Sequence, residues 1–372
     1  MAFSFKDHLF QVVFFYFCTM KVDVIIVGQG IAGSIAAYKL LRQGKSIAVF
    51  QDGDMYKSSS VAPGMFNALV LKRFTLCWNA TEFLPVMFDF YADMEEHLKV
   101  QLIHHFPIFR LFHDEKEVET WLEKTDHPVL SEYMDTNILE VNNDKLQKKV
   151  GFGRVKQTGR VDVKTIIGTM AAYISSNGIL RNEKFDFEVL KLAEGKVTYK
   201  DIEAEKVVFS EGFGMVHNPY FNYLPLDGTK GELITIKAIG LNLDKAIKGG
   251  IFIMPLGDDL YRVGATFNWK EKDCIPTEKG KQWLLDRLGP IIDCPFEIVS
   301  HEAGMRPTVN DRRPLIGQHP EFSQLYVLNG FGTRGILMGP YLTDCLISKM
   351  YEGTEPDDVF NISRYRHFLE SN

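Results

Sequence analysis

The chain has 372 residues, 45% of them hydrophobic and 24% charged, which fits a folded globular protein and excludes global disorder. The length suggests two domains, or one large α/β unit with an insertion. With 42 Lys and Arg against 48 Asp and Glu, the net charge of −6 argues against general nucleic-acid binding.

In chain order, residues 9–19 (LFQVVFFYFCT) come first. The run is apolar but shorter than the roughly 20 residues a membrane span needs, and no small-x-small cleavage site follows it. Met20 directly precedes the first convincing strand, so residues 1–19 are expected to be an upstream extension without a structural role. No span is expected after it.

Residues 22–27 (VDVIIV) form a β-branched apolar run, read as a buried parallel strand. Gly28-Gln29-Gly30-Ile31-Ala32-Gly33 follows, then the helical stretch SIAAYKLLRQ, stopped by Gly44. Ser46 to Phe50 reads as the second strand. This is a βαβ unit around GxGxxG. Gly28 permits the tight turn, Gly30 lets the backbone approach a pyrophosphate, and Gly33 lets helix and strand pack closely. The helix N-terminus faces the phosphate charge. The residue meeting the ribose hydroxyls would be Gln51, where an acid is usual; an amide can still hydrogen-bond a hydroxyl. Asp52 next to it could take that place, or could be a turn residue with Gly53.

The five cysteines (18, 77, 274, 294 and 345) are scattered and include no CxxC pair. Neither a disulfide framework nor a metal site is expected, and a reducing, cytoplasmic location fits.

Three further segments carry a family resemblance: Ser58-Ser59-Ser60-Val61-Ala62-Pro63-Gly64-Met65, then AGMRPTVNDRRPLIG (303–317), then LYVLNGFGTRGILMGP (325–340). In this order and spacing the chain resembles the FAD-dependent D-amino-acid oxidase superfamily, in its glycine oxidase and sarcosine oxidase-like branch. The resemblance covers residues 20–368, is strongest at the ends and over 249–267, and is weakest over 86–150. It implies an α/β fold: a Rossmann-type FAD-binding domain and a substrate domain on a mixed, mostly antiparallel sheet. The FAD domain would be discontinuous (20–85, 151–215 and 300–372), with 86–150 and 216–299 forming the substrate domain. Asp162 should cap the helix KTIIGTMAAYISS.

The resemblance also implies FAD contacts at Gly28, Gly30, Ile31, Ala32, Gly33, Gln51, Asp52, Ser59, Ser60, Gly64 and Met65. Val189, in a strand FEVLKL, would meet the adenine. Gly212 belongs to a second strand–glycine element. Phe331, Gly332, Thr333, Arg334, Gly335, Ile336 and Leu337 would lie under the flavin pyrimidine. There, glycines 330, 332 and 335 would let amides point at the N1–O2 edge, where negative charge develops on reduction. Arg334 would add a full charge, or face solvent as a loop arginine. Arg306, in a Gly-x-Arg-Pro pattern, would bind a substrate carboxylate through the guanidinium fork. Its alternative is an ion pair with Asp311. Phe252 occupies a position where related oxidases present an aromatic, often tyrosine; Tyr261 and Trp269 are candidate replacements for the missing hydroxyl. His104 and His105 read as packing or surface residues. Cys77 and Cys345 are formal candidates for covalent flavin attachment.

The implied function is an FAD-dependent amine or amino-acid oxidoreductase, with oxygen or another acceptor reoxidising the flavin. Two alternatives stand beside it: a tRNA wobble-base-modifying flavin oxidoreductase, and a flavin-binding module without turnover. The sequence leaves homo-oligomer formation open.

Overall fold

A computed structural model describes residues 19–53, 56, 58–147 and 150–370. Most of the apolar N-terminal stretch lies outside the described residues. The chain starts with β1 (Met20–Val27), α1 (Ile31–Arg42) and β2 (Ile47–Gln51), as the βαβ pattern predicts. Then come helix α2 (Ala80–Leu98) and strands β3 (Ile108–Leu111), β4 (Met134–Leu139) and β5 (Phe152–Val155). Helix α3 (Val163–Asn177) and strands β6 (Ile179–Asn182), β7 (Leu190–Ala193), β8 (Lys196–Tyr199) and β9 (Ile202–Phe209) follow. The next group is β10 (Thr229–Lys237), β11 (Ala246–Lys248), β12 (Phe252–Gly257), β13 (Leu260–Gly264) and β14 (Glu297–Arg306). The chain closes with β15 (Leu315–Gln318), β16 (Leu325–Asn329) and α4 (Gly335–Glu352).

Two eight-stranded sheets organise the molecule. The first runs β6-β2-β1-β9 in parallel. The first part of β9 then pairs with β8 and its end with β16. Val24, Ile25, Ile26 and the residues of β2 from Ile47 to Val49 are fully buried, as expected for strands covered on both faces. Helices α1, α2, α3 and α4 pack against one another on one face. On the other face an aromatic layer forms, in which Phe185 stacks on Tyr199 and Phe209 meets Phe221. Asp162 caps α3 by accepting the Thr165 amide at 3.1 Å.

The second sheet runs β14-β10-β13-β12-β11-β3-β5-β4 and is antiparallel except for β11 against β3. Side chains alternate across it. Ile234, Ile236, Ile247, Ile253, Tyr261 and Val263 fill a core on the back face, under the helix Glu278–Leu288. Gly231, Leu233, Ala246, Lys248, Phe252 and Arg306 face the first sheet. The expected boundary near residue 150 needs correction. Phe152–Val155 lies in a stretch assigned to the cofactor domain, yet β5 pairs with β3 and β4 in the second sheet.

Among the described residues no helix is long and apolar enough to cross a membrane.

Candidate active site

Between the sheets lies a cavity of about 650 Å³. That size is typical of small-molecule and cofactor sites. Its first wall is the glycine turn after β1. Gly28 has φ +97°, and a Cβ there would lie 2.5 Å from the Ser210 carbonyl oxygen, so only glycine fits. A Cβ on Gly33 would lie 1.8 Å from the Gly28 carbonyl oxygen, which is what lets α1 cross so close to the turn. Gly30 opens α1 without any side-chain cap. Ser59 reaches over from the next segment, its hydroxyl accepting the Ile31 amide at 3.0 Å. Ser59 takes only the first amide of α1, and the dipole at a helix start facing a cavity favours an anion.

The expected cofactor residues mostly converge here. Gly28, Gly30, Ile31, Ala32, Gln51, Asp52, Ser59, Gly64, Met65 and Gly212 line the cavity, as do Phe331 to Leu337. Gly33 and Ser60 do not line it; Gly33 acts through packing. Gln51 and Asp52 both face the cavity, and the Gln51 amide donates to Asn182.

Val189 requires correction. It sits in a 3-10 turn, Phe187–Val189, and does not line the cavity. Phe185 and Phe187 line it instead, beside the end of β2. Asp186 begins that turn by accepting the Glu188 amide, which ends the extended run the sequence pattern suggested.

The glycine loop at 330–335 also differs in detail. The Gly330 amide donates to Asn329 Oδ1 and the Gly332 amide to the Pro307 carbonyl. The first turn of α4 has no side-chain cap and lines the cavity. Arg334, the residue before α4, is half-buried and lines the cavity rather than projecting into solvent.

The cavity fits a dinucleotide on grounds independent of resemblance. Gln29 Oε1 and Ser210 Oγ are buried without a hydrogen-bond partner in the protein, and both residues line the cavity. Buried polar atoms are rarely left unsatisfied, so a polar ligand is implied. The positive-φ glycine cradle and the open helix start supply the pyrophosphate seat. Cys77 and Cys345 do not line the cavity, and burial raises both thiols, Cys345 to about 11, away from nucleophilic thiolate character.

The second wall is the front face of the antiparallel sheet. Arg306, the last residue of β14, lays its guanidinium over Gly231, where a Cβ would fall 1.9 Å from Nη2. Glycine at 231 therefore makes room for the arginine. Arg306 Nη1 donates to the Thr266 carbonyl at 3.2 Å, and the guanidinium stacks 4.4 Å from the Phe267 ring centroid. No carboxylate among the described residues forms an ion pair with it. Asp311, the alternative partner, accepts from Arg364 and Tyr365 instead. Burial alone pulls Arg306 down to about 10, so it remains cationic at neutral pH with its charge uncompensated. Such a group is costly unless an anion visits it.

Phe252 begins β12, is buried, and lines the cavity. Neither candidate for the missing hydroxyl replaces it. Tyr261 lies on the back face, its hydroxyl accepting the Leu243 amide at 3.3 Å. Trp269 is partly exposed and does not line the cavity. His105 stacks on Phe88, a packing role as expected. Arg312 and Arg313 also lie outside the cavity, Arg313 covering the Trp78 ring.

Lining residues not singled out from the sequence include Phe185, Phe187, Glu211, Lys72 and Lys248. Lys248 carried a usable signal. It stands two residues after Ala246, on the same face of a short strand just before GGIFIMP.

A protein-family model described as FAD dependent oxidoreductase (DAO) matches residues 23–347. Glycine oxidase of Bacillus subtilis (strain 168) is 25% identical over 365 residues, covering 90% of this chain and 94% of that protein. The crystal structure of glycine oxidase from Geobacillus kaustophilus superposes with a TM-score of 0.75 at 23% identity, over 93% of this chain and 98% of its own. The tRNA 5-methylaminomethyl-2-thiouridine biosynthesis bifunctional protein of Saccharophagus degradans is 24% identical over 166 residues, which is 36% of this chain and 24% of that protein.

Proposed function

The chain belongs to the FAD-dependent oxidoreductase (DAO) family and oxidises the carbon–nitrogen bond of an amine or amino acid, and on that premise we propose that its substrate carries a carboxylate seated on Arg306. The observation that carries this reading is a half-buried guanidinium without a carboxylate partner among the described residues, facing the cavity. Gly28, Gly30 and the start of α1 would hold the FAD pyrophosphate, and Phe331 to Leu337 would hold the flavin edge. Phe185 and Phe187 would flank the adenine end. Bound FAD supplies a hydride acceptor at N5.

The protein's own part is mainly orientation. Arg306 offers a carboxylate two parallel donors and so fixes the substrate's rotation. Phe252, opposite Gly264 in β13, gives an apolar surface that keeps water from the reacting carbon. Oxidation removes a hydride from that carbon and a proton from the nitrogen, and the imine product then takes up water. Arg334 and the first turn of α4 would offset the charge that reduction leaves on the isoalloxazine.

The domain division keeps its expected form as part of this proposal, with β5 moved to the substrate side. None of the described cysteines forms a disulfide, which supports the cytoplasmic reading.

Arg306→Met tests the carboxylate seat. Loss of a buried charge pair costs about 2–5 kcal/mol, so KM for carboxylate substrates should rise at least about 30-fold. Flavin content should be unchanged. Unaltered KM would discard the role. A flavin that no small amine reduces, in a protein that binds tRNA at moderate salt, would move the assignment to the tRNA reading.

A further inference from the structure

The front face of the antiparallel sheet presents four cations: Arg110 on β3, Lys248 on β11, Arg262 on β13 and Arg306 on β14. Two have carboxylate partners. Arg110 Nη2 donates to Glu117 at 2.7 Å, and Arg262 Nη1 donates to Glu302. Lys248 and Arg306 have no carboxylate partner among the described residues, and both line the cavity.

Lys248 is set back between strands. Its register partner is Arg110 on one side and Phe252 on the other. Its ammonium lies 5.2 Å from the Phe252 ring centroid. A ring face offers a cation far less than a desolvated ammonium loses. Burial, and then the charges of Arg110 and Arg306, pull the Lys248 ammonium down to about 8. Lys72 is an exposed residue of the same cavity lining. It follows Leu71, whose carbonyl accepts from Arg110 Nε at 3.2 Å. The negative charge expected on the flavin already has Arg334 and the α4 start. The excess charge at Lys248 therefore faces the substrate.

We propose that the substrate is a dianion, an amino acid or N-substituted amino acid with a second carboxylate, seated on Lys248 while Arg306 takes the first carboxylate. The inference rests on the carboxylate seat at Arg306. It assigns Lys248 to specificity: the lysine binds a group remote from the reacting carbon.

Binding to the oxidised holoprotein tests it without turnover. Succinate and glutarate, and the monocarboxylates propionate and butyrate, would be titrated while the visible flavin band is recorded. In the wild type the dicarboxylates should bind at least about 30-fold more tightly. Lys248→Met should shrink that ratio to about 3-fold or less, and Lys248→Arg should keep most of it. Equal affinity for the two classes in the wild type, or a ratio that survives Lys248→Met, would overturn the proposal. Equal affinity that vanishes in Arg306→Met would leave the carboxylate seat standing. Absence of binding by any acid would sink both. If Lys248→Met does not fold, the wild-type ratio alone decides.

Discussion

The cavity wall formed by the parallel sheet presents main chain, whereas the wall formed by the antiparallel sheet presents side chains. On the first wall, recognition falls to a positive-φ glycine, two helix starts and close backbone crossings. Such features need particular residues at fixed spacing within one βαβ unit, so they show in a short stretch of sequence. On the second wall Arg110, Lys248, Phe252 and Arg306 come from four strands spread over almost 200 positions. What matters there is which cation has a partner, and only the folded sheet settles that. The first wall suits a cofactor shared by a family; the second is where a substrate can be chosen.

The comparison can be broken most sharply at Gly33. A Cβ there meets the Gly28 carbonyl oxygen at 1.8 Å, and backbone cannot step aside cheaply. Gly33→Val should yield little folded protein, and what folds should be colourless. A yellow variant with normal flavin content would show that the first wall does not depend on that crossing.

The second wall is sharpened by two of its arginines, Arg262 and Arg306. Arg262 is held by Glu302, by Thr235 Oγ1 at 2.8 Å and by the Val61 carbonyl at 3.3 Å. Arg262→Met should cost about 2–4 kcal/mol, because Glu302 loses its partner. Arg306→Met removes a half-buried, desolvated charge that has no carboxylate partner, so flavin-free protein should keep its stability or gain some. Denaturant melts of both variants check this; equal losses would mean that Arg306 has a structural partner.

Glu211, on the cofactor wall, gives a pH signature. Burial raises its carboxyl from 4.5 to about 7; the Asn218 amide opposes this and the Asp52 charge adds to it. The folded state thus keeps a proton that the unfolded chain gives up between those values. Stability should fall as pH rises through that window and level off above about 7, by at most about 3 kcal/mol. Glu211→Gln should flatten the slope; identical profiles would contradict the shift.

The smallest effect is expected behind the substrate wall. Tyr261→Phe removes one acceptor for the Leu243 amide, about 1 kcal/mol of stability, and should leave KM and kcat unchanged. A kinetic defect would place Tyr261 in the site after all.

The same contrast explains what could be read in advance. The βαβ unit and the Asp162 cap are local patterns, and they stand in the structure as read; Arg306 is likewise marked by a local motif, and it lines the cavity. Val189 falls outside the strand because FEVLKL is extended only from Leu190 onward, the Asp186 side chain turning the chain just before Val189. Tyr261 looked like a substitute hydroxyl because strand parity relative to Phe252 depends on cross-strand register. Lys248 stayed hidden because being unpaired is a property of neighbours on β3, β12 and β14.

The most direct measurement is the visible spectrum of purified protein titrated without oxygen with amines, D- and L-amino acids and N-methyl and N-carboxymethyl amino acids. The account predicts a yellow protein whose flavin band is bleached by carboxylate-bearing amines and not by their decarboxylated counterparts. A protein that stays colourless with added FAD, or a yellow one bleached equally well without the carboxylate, would contradict it.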